Sequence, residues 1–98
     1  MKFKICRSSW EKARGLMFYK KRNLIFIFDK VERISLHMWF VFFPIDVLFL
    51  DSDKKIVEIK KDFKPFTFYR SKTPAKYVVE LSDTHNYKIG EIFDLPDQ

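Results

Sequence analysis

The sequence has few of the residues that small chains use to cross-link or bend themselves. Its 98 residues include two glycines and one cysteine, Cys6. A single cysteine excludes an intrachain disulfide, so stability must come from a packed core, which is typical of a reducing compartment. Two glycines exclude a glycine-rich phosphate loop. The N-terminus also lacks a signal-peptide pattern, and we therefore expect a cytoplasmic protein.

An uninterrupted membrane-spanning run is missing as well. The most apolar stretch, "LHMWFVFFPIDVLFLD" at 36–51, is broken by Pro44 and Asp46. A spanning helix needs about 20 mainly apolar residues. Proline disfavours helix, whereas Phe, Val, Ile and Trp favour strand. We predict two buried strands that meet at a bend near Pro44, and no contact with a membrane interior.

Aromatic and basic residues are what the chain has in abundance. Aromatics make up 18% of the chain, and the net charge is +6. Residues 1–30 carry nine Lys or Arg side chains and two acidic ones. This basic third is compatible with a nucleic-acid, acidic-protein or anionic-lipid partner, and equally with a solvated face that keeps the domain soluble.

Local patterns predict one helix among many short strands. Ser8 and Glu11 form a capping box that predicts a helix at 8–17. Alternating or apolar runs predict strands near 2–6, 24–28, 36–43, 45–50, 55–60, 76–81 and 87–95, with polar connections at 29–33 and 82–86 and an extended loop at 63–74. The prediction is a mainly-β single domain over residues 1–98, either a small sandwich or a partly open barrel.

Several short motifs follow one another along the chain. They are "ARGLMF" (13–18), "FIFD" (26–29), the stretch at 36–51, "KIVEI" (55–59) and "PAKYVVEL" (74–81). In this order they resemble the uncharacterised domain-of-unknown-function family 192, most closely its archaeal branch. The resemblance covers roughly residues 8–95.

The resemblance implies a compact mainly-β domain and no established activity. Where much of the family has a Lys-Asn-Thr trio, this chain has Trp39, Phe40 and Val41, so no role of that trio transfers. The residues that transfer by motif position are Arg14, Gly15, Met17, Pro44, Asp46 and Glu80.

Asp46 is the leading candidate for a functional side chain. An unpaired carboxylate in a buried strand is costly, so it needs a cation, backbone amides or a proton. Arg14 is a candidate partner, and His37 begins the same apolar stretch. The functional interpretation is a polar pocket floor or general base, and the structural one is a carboxylate that holds the bend or ties the helix to the sheet.

Other candidates are weaker. Glu80 and Asp46 are a conceivable acid pair, but Glu80 should lie at a rim, away from the face of its apolar strand neighbours. His85 stands isolated in a turn, and no His, Cys or acidic cluster has metal-ligand spacing, so we expect neither a metal nor a cofactor. Tyr69 and Arg70 lie in a loop that mixes rings and cations, a pattern used for single-stranded nucleic acid.

Three functional hypotheses follow. The first is a non-catalytic module that binds a small molecule or a protein in a pocket near His37 and Asp46, covered by the 63–74 loop. The alternative is single-stranded nucleic-acid binding through the basic third and the 63–77 loop. The third is an enzyme that uses Asp46, His37 and Arg14. Binding is favoured over catalysis; the binding candidates are Arg14, His37, Asp46, Tyr69, Arg70 and Glu80. The sequence leaves the oligomeric state open.

Overall fold

A computed structural model describes residues 3–6, 23–37, 44–64, 67–82 and 85–95. The predicted helix at 8–17 and Arg14 lie outside these ranges. The strands are β1 Phe3–Cys6, β2 Asn23–Glu32, β3 Ser35–His37, β4 Ile45–Leu50, β5 Ile56–Phe63, β6 Phe68–Arg70 and β7 Ala75–Leu81. The described chain is mainly β, as predicted. Within the same ranges, no helix combines the length and apolar character that a membrane crossing requires.

The strands form two sheets. The larger has five strands in the order β1-β2-β7-β4-β5, and the smaller pairs β3 with β6. All pairings are antiparallel except β1 with β2, which is parallel. The predicted hairpin of 45–50 and 55–60 is confirmed by the pairing of β4 with β5. Its turn is fastened by Asp51, whose carboxylate accepts the amides of Asp53 and Lys55 at 2.9 and 3.0 Å.

Both faces of the five-stranded sheet are covered. Face 1 is defined by Leu24, Phe26, Val47, Phe49 and Val78, and it packs against Ile34 and Tyr69 beside the smaller sheet. Face 2 is defined by Ile25, Leu48, Leu50, Val79 and Leu81, and it packs against Tyr87, Phe93 and Leu95 from the C-terminal segment. Two buried faces make the central strands apolar on both sides, which explains the composition of the stretch at 45–50.

Glu80 does not lie at a rim as predicted, because both faces of the sheet are covered. Strand β7 is confirmed, but Glu80 is only 6% exposed instead of lying at a rim. It is opposite Leu24 on one side and Val47 on the other, which places it on face 1. The prediction assumed that one face of β7 meets water, whereas the layer that carries Ile34 and Tyr69 covers that face.

A β-bulge changes which side chains of β5 share a face. Ile56 pairs with Leu50 and Glu58 pairs with Phe49, so Val57 is an extra residue between them. The sequence alternation predicts Val57 and Ile59 together on one side. Instead Val57 packs against the face 1 core and Ile59 against the face 2 core. Glu58 is consequently buried at 9% exposure on face 1.

Two predicted elements differ from the structure. Residues 29–32 continue β2 as its exposed end, where a polar connection is predicted, because polar side chains in a solvated strand resemble a loop. The closing strand predicted at 87–95 is wrong. A turn at Ile89 and Gly90 replaces it, with one isolated bridge from Ile92 to Lys55. The positive φ of Gly90, 99°, breaks the extended conformation that a strand needs.

Candidate functional site

Asp46 lies near the start of β4 on face 2, opposite Leu81. Its Oδ1 accepts the backbone N–H of Asp62 at 2.8 Å. Asp62 belongs to an irregular stretch of β5 and has a φ of 51°, a left-handed conformation that Asp tolerates better than most residues. The local irregularity of β5 therefore aims an amide at the carboxylate. Within the described part of the chain, Asp46 forms hydrogen bonds with this amide and with a histidine ring.

His85 supplies that second contact. Its Nε2 lies 2.7 Å from Asp46 Oδ2, and its side chain is 2% exposed. The backbone N–H of Tyr87 donates to His85 Nδ1 at 3.2 Å. A nitrogen that accepts has no proton, so the proton of the neutral ring is on Nε2 and is donated to Asp46. Both ring nitrogens are thus engaged, which the isolated position of His85 in the sequence does not indicate.

An open concavity borders this pair. Its volume is about 500 Å³ and it is lined by Lys61, His85, Asn86, Tyr87, Lys88 and Glu91. This volume lies in the range of small-molecule sites, about 300–1,000 Å³. Asp46 stands behind His85 as its support, and its side chain is 29% exposed.

The wall of the concavity is anchored to the sheet. Gly90 N–H donates to the Ile56 carbonyl and Ile56 N–H donates to the Glu91 carbonyl, each at 2.8 Å. The Tyr87 ring packs between His85 and Phe93, with centroid distances of 5.5 and 5.1 Å. Residues 85–93 are therefore held by both backbone and ring contacts, so the concavity exists before any ligand enters it.

Face 1 carries a second polar cluster, centred on Glu58. The carboxylate accepts the Tyr69 hydroxyl and the amides of Lys72 and Thr73, the latter at 2.9 and 2.8 Å. Burial alone raises the pKa of Glu58, but the hydrogen bonds from Tyr69, Thr73 and Lys72 outweigh burial and hold it below the usual value. Burial, the hydrogen bond and the Glu58 charge raise the pKa of Tyr69 to about 12.

Glu80 is, with Glu58, the second buried carboxyl group of the described residues. Desolvation by burial raises the pKa of its side chain to about 8. At neutral pH this carboxyl is accordingly mostly protonated. Glu80 lies on face 1 and Asp46 on face 2, because each is opposite a residue of that face. The sheet separates them, so they do not flank one substrate, in agreement with the low weight that the sequence gives to this acid pair.

The structure disperses the other predicted site residues. His37 pairs with Phe68 in the smaller sheet, whereas Asp46 belongs to the larger one. Tyr69 packs against Phe49 and Phe63, with ring centroids 5.9 and 6.2 Å apart, on the face opposite Asp46. The described contacts of Tyr69 are therefore on the opposite face of the sheet from Asp46, and Tyr69 does not cover Asp46 through them.

Two residues that matter here, Glu58 and His85, are not singled out by the sequence. Glu58 sits in an ordinary alternating run, and only the bulge at Val57 turns it inward. His85 is 39 positions from Asp46 and follows a polar turn. Neither the spacing nor the neighbouring residues of these side chains signal their partners. Arg70 is exposed.

Comparison with known proteins decides the family. The model of domain-of-unknown-function family 192 (DUF192), described as "Uncharacterized ACR", matches residues 1–90. The chain belongs to DUF192. It is 37% identical over 99 residues to a UPF0127 protein of Thermococcus sibiricus, covering 93% of this chain. It is 48% identical over 69 residues to a UPF0127 protein of Pyrococcus furiosus, covering 67%. The DUF192 chain spans 64% and 59% of the lengths of these relatives.

A solved structure agrees with the fold. A chain from Sinorhizobium meliloti 1021, described as a candidate transcription regulator, superposes with a TM-score of 0.76 at 25% identity. The match covers 81% of the DUF192 chain and 66% of that chain. The archaeal relatives confirm the archaeal type that the motif at 36–51 suggests.

Proposed function

We propose that this DUF192 chain is a non-catalytic binding module whose ligand occupies the concavity beside His85. The observation that carries the proposal is the engagement of both His85 ring nitrogens, one with Asp46 and one with the Tyr87 amide. A histidine held in this way is a rigid part of the concavity wall, because its N–H donor and its lone-pair acceptor are both already hydrogen-bonded to the protein. Asp46 is then the support of the wall.

An enzyme built on Asp46 is less well supported by the same geometry. A general base must have an acceptor atom within hydrogen-bond reach of the substrate proton. Each Asp46 oxygen already accepts a protein donor, at 2.8 Å from Asp62 and 2.7 Å from His85. Tyr69 and Glu80, two of the predicted candidates, lie on the other face of the sheet.

Native mass spectrometry of freshly purified protein tests this proposal. We expect a non-covalent ligand whose mass is lost on denaturation and is unchanged after prolonged incubation with the protein. Asn86→Trp should lower the occupied fraction, because the large ring fills the concavity from an exposed lining position. Arg70→Trp, an exposed position in the smaller sheet, is the matched control and should retain the ligand.

Three results would contradict the proposal. A chemically converted ligand would show catalysis. An occupied fraction that falls with Arg70→Trp and not with Asn86→Trp would move the site to the smaller sheet. The absence of any ligand, together with unchanged amide spectra on addition of a small-molecule library, would remove the binding function itself.

A second candidate is single-stranded nucleic-acid binding at β6. Phe68 is 56% exposed and Arg70 and Lys72 are exposed nearby, which gives a ring beside cations. The regulator description of the Sinorhizobium relative supports the same idea. Tyr69 does not contribute, because its ring is packed and its hydroxyl donates to Glu58. Fluorescence anisotropy with an oligothymidylate at low salt should show binding that weakens in Phe68→Ala; no binding at low salt removes this candidate.

A further inference from the structure

We infer that the concavity beside His85 selects small organic oxyanions, that is, carboxylates or phosphate monoesters with a short apolar or planar body. The inference rests on the proposed binding function and names the chemical class of its ligand. It follows from the charges that line the concavity, from the groups that are already paired, and from the rigid ring at its wall.

The cations of the concavity have no ion-pair partner within the part of the chain that the structure describes. Lys61 and Lys88 both line it, and both residues are exposed. Among the described residues, neither forms an ion pair; the lysine ion pair found there is that of Lys64 with Asp62. Two ammonium groups beside one recess, against a single carboxylate in its lining, attract an anion.

The one acidic group of the lining is partly satisfied locally. Glu91 Oε1 accepts the backbone N–H of Lys88 at 2.7 Å, which closes the 88–91 turn. The Asp46 carboxylate behind the wall accepts the Asp62 amide and the His85 ring. Two lysines and one carboxylate line the concavity, so the lining carries more positive than negative side chains.

The remaining lining favours an organic body on the anion. Tyr87 is half-buried and packs on Phe93, so its ring is a fixed apolar surface beside the cations. The exposed Asn86 amide offers a neutral donor and acceptor next to it. An inorganic ion leaves this ring uncovered, whereas a ligand such as an aromatic acid uses both the ring and the ammonium groups.

Amide NMR titration with benzoate and phenyl phosphate tests the inference, with benzamide as the neutral probe of the same shape. We expect both anions to shift the amides of residues 61 and 85–88 saturably, with an affinity that falls as salt rises. Lys61→Gln and Lys88→Gln should each weaken binding about tenfold, and the double variant should abolish it. Lys30→Gln, an exposed lysine of β2 outside the lining, is the charge control and should be unchanged.

The two anions separate the sources of the oxyanion. Tighter benzoate binding assigns a carboxylate ligand, and tighter phenyl phosphate binding assigns a phosphate monoester. Equal binding of benzamide, or equal weakening by Lys30→Gln, would overturn the oxyanion inference. A neutral or cationic ligand found in the concavity by native mass spectrometry would overturn it too while leaving the proposed function intact. If no probe and no copurified ligand binds, both fail.

Discussion

The two faces of the five-stranded sheet each use a carboxylate to fasten a segment that crosses them, and they do so differently. On face 1, Glu58 accepts a tyrosine hydroxyl and two backbone amides from residues 69–73. On face 2, Asp46 accepts one backbone amide and the ring of His85. The first fastening uses a phenol hydroxyl and backbone amides as donors, whereas the second depends on an imidazole beside an open concavity.

This difference separates structural support from a candidate site. Glu58 is 9% exposed and its partners bring the β6–β7 connection against the core. Asp46 is more exposed, at 29%, and its partner His85 lines an open concavity although the side chain of His85 is itself only 2% exposed. A buried carboxylate is therefore not by itself a sign of function in this fold. What distinguishes the Asp46 side is that its partner lines a recess.

Glu80→Gln is expected to change the free energy of unfolding more than any other variant considered. It tests whether water is excluded from the surroundings of Glu80 on face 1. Glu80 has a raised folded pKa, about 8 against 4.5. The wild-type contribution is therefore complete below pH 4.5 and is lost as pH rises through 8, at about 1.4 kcal/mol per pH unit. The variant should lack this slope, so between pH 4 and pH 9 it should gain on the order of 5 kcal/mol in stability relative to wild type. Urea unfolding from pH 4 to 9 measures it, and parallel curves for the two proteins would contradict a dry environment.

Glu58→Ala should have the next largest effect. It leaves a buried hydroxyl and two amides without their acceptor, at a cost of about 3 kcal/mol at pH 7 in urea unfolding. Tyr69→Phe removes only one of the bonds and should cost about 1 kcal/mol. Because the folded pKa of Glu58 is lowered, its stabilisation is present above the unfolded value of 4.5 and lost as pH falls below it. A Glu58→Ala protein as stable as wild type would show that the 69–73 segment is held by packing alone.

Asp46→Ala should cost less than Glu58→Ala, about 2 kcal/mol, because water replaces the carboxylate at Asp62 but not at the buried His85 ring. Asp46→Asn keeps one acceptor oxygen and should cost about 1 kcal/mol. In both variants the amide signals of residues 85–88 should shift more than those of residues 69–73. The proposed difference between the two faces is contradicted if Asp46→Ala destabilises the protein more than Glu58→Ala does. It is also contradicted if Asp46→Ala shifts the amide signals of residues 85–88 and 69–73 equally.

The sequence correctly predicts the elements whose signal lies within a short window of residues. The β4–β5 hairpin, the turn at Asp51 and strand β7 follow from apolar alternation and turn residues within short windows. The errors fall where a neighbour distant in sequence decides the outcome. Residues 87–95 carry enough apolar residues for a strand, yet their backbone groups bond to residues 54–56 around a turn at Gly90. The pairing of Asp46 with Arg14 proposed from the motifs also stays a prediction, since Arg14 lies outside the described residues.

By itself, the sequence determined the mainly-β class, the DUF192 membership and the need of Asp46 for local partners, because these depend on composition, motif order and the cost of burying a charge. The tertiary structure alone decided which partners were available. A bulge of one residue turned Glu58 inward, and the second covering layer buried Glu80. The return of the C-terminal segment brought His85 to Asp46 from 39 positions away. Side-chain direction in a sheet depends on register and on what covers each face, and neither quantity is contained in a short stretch of residues.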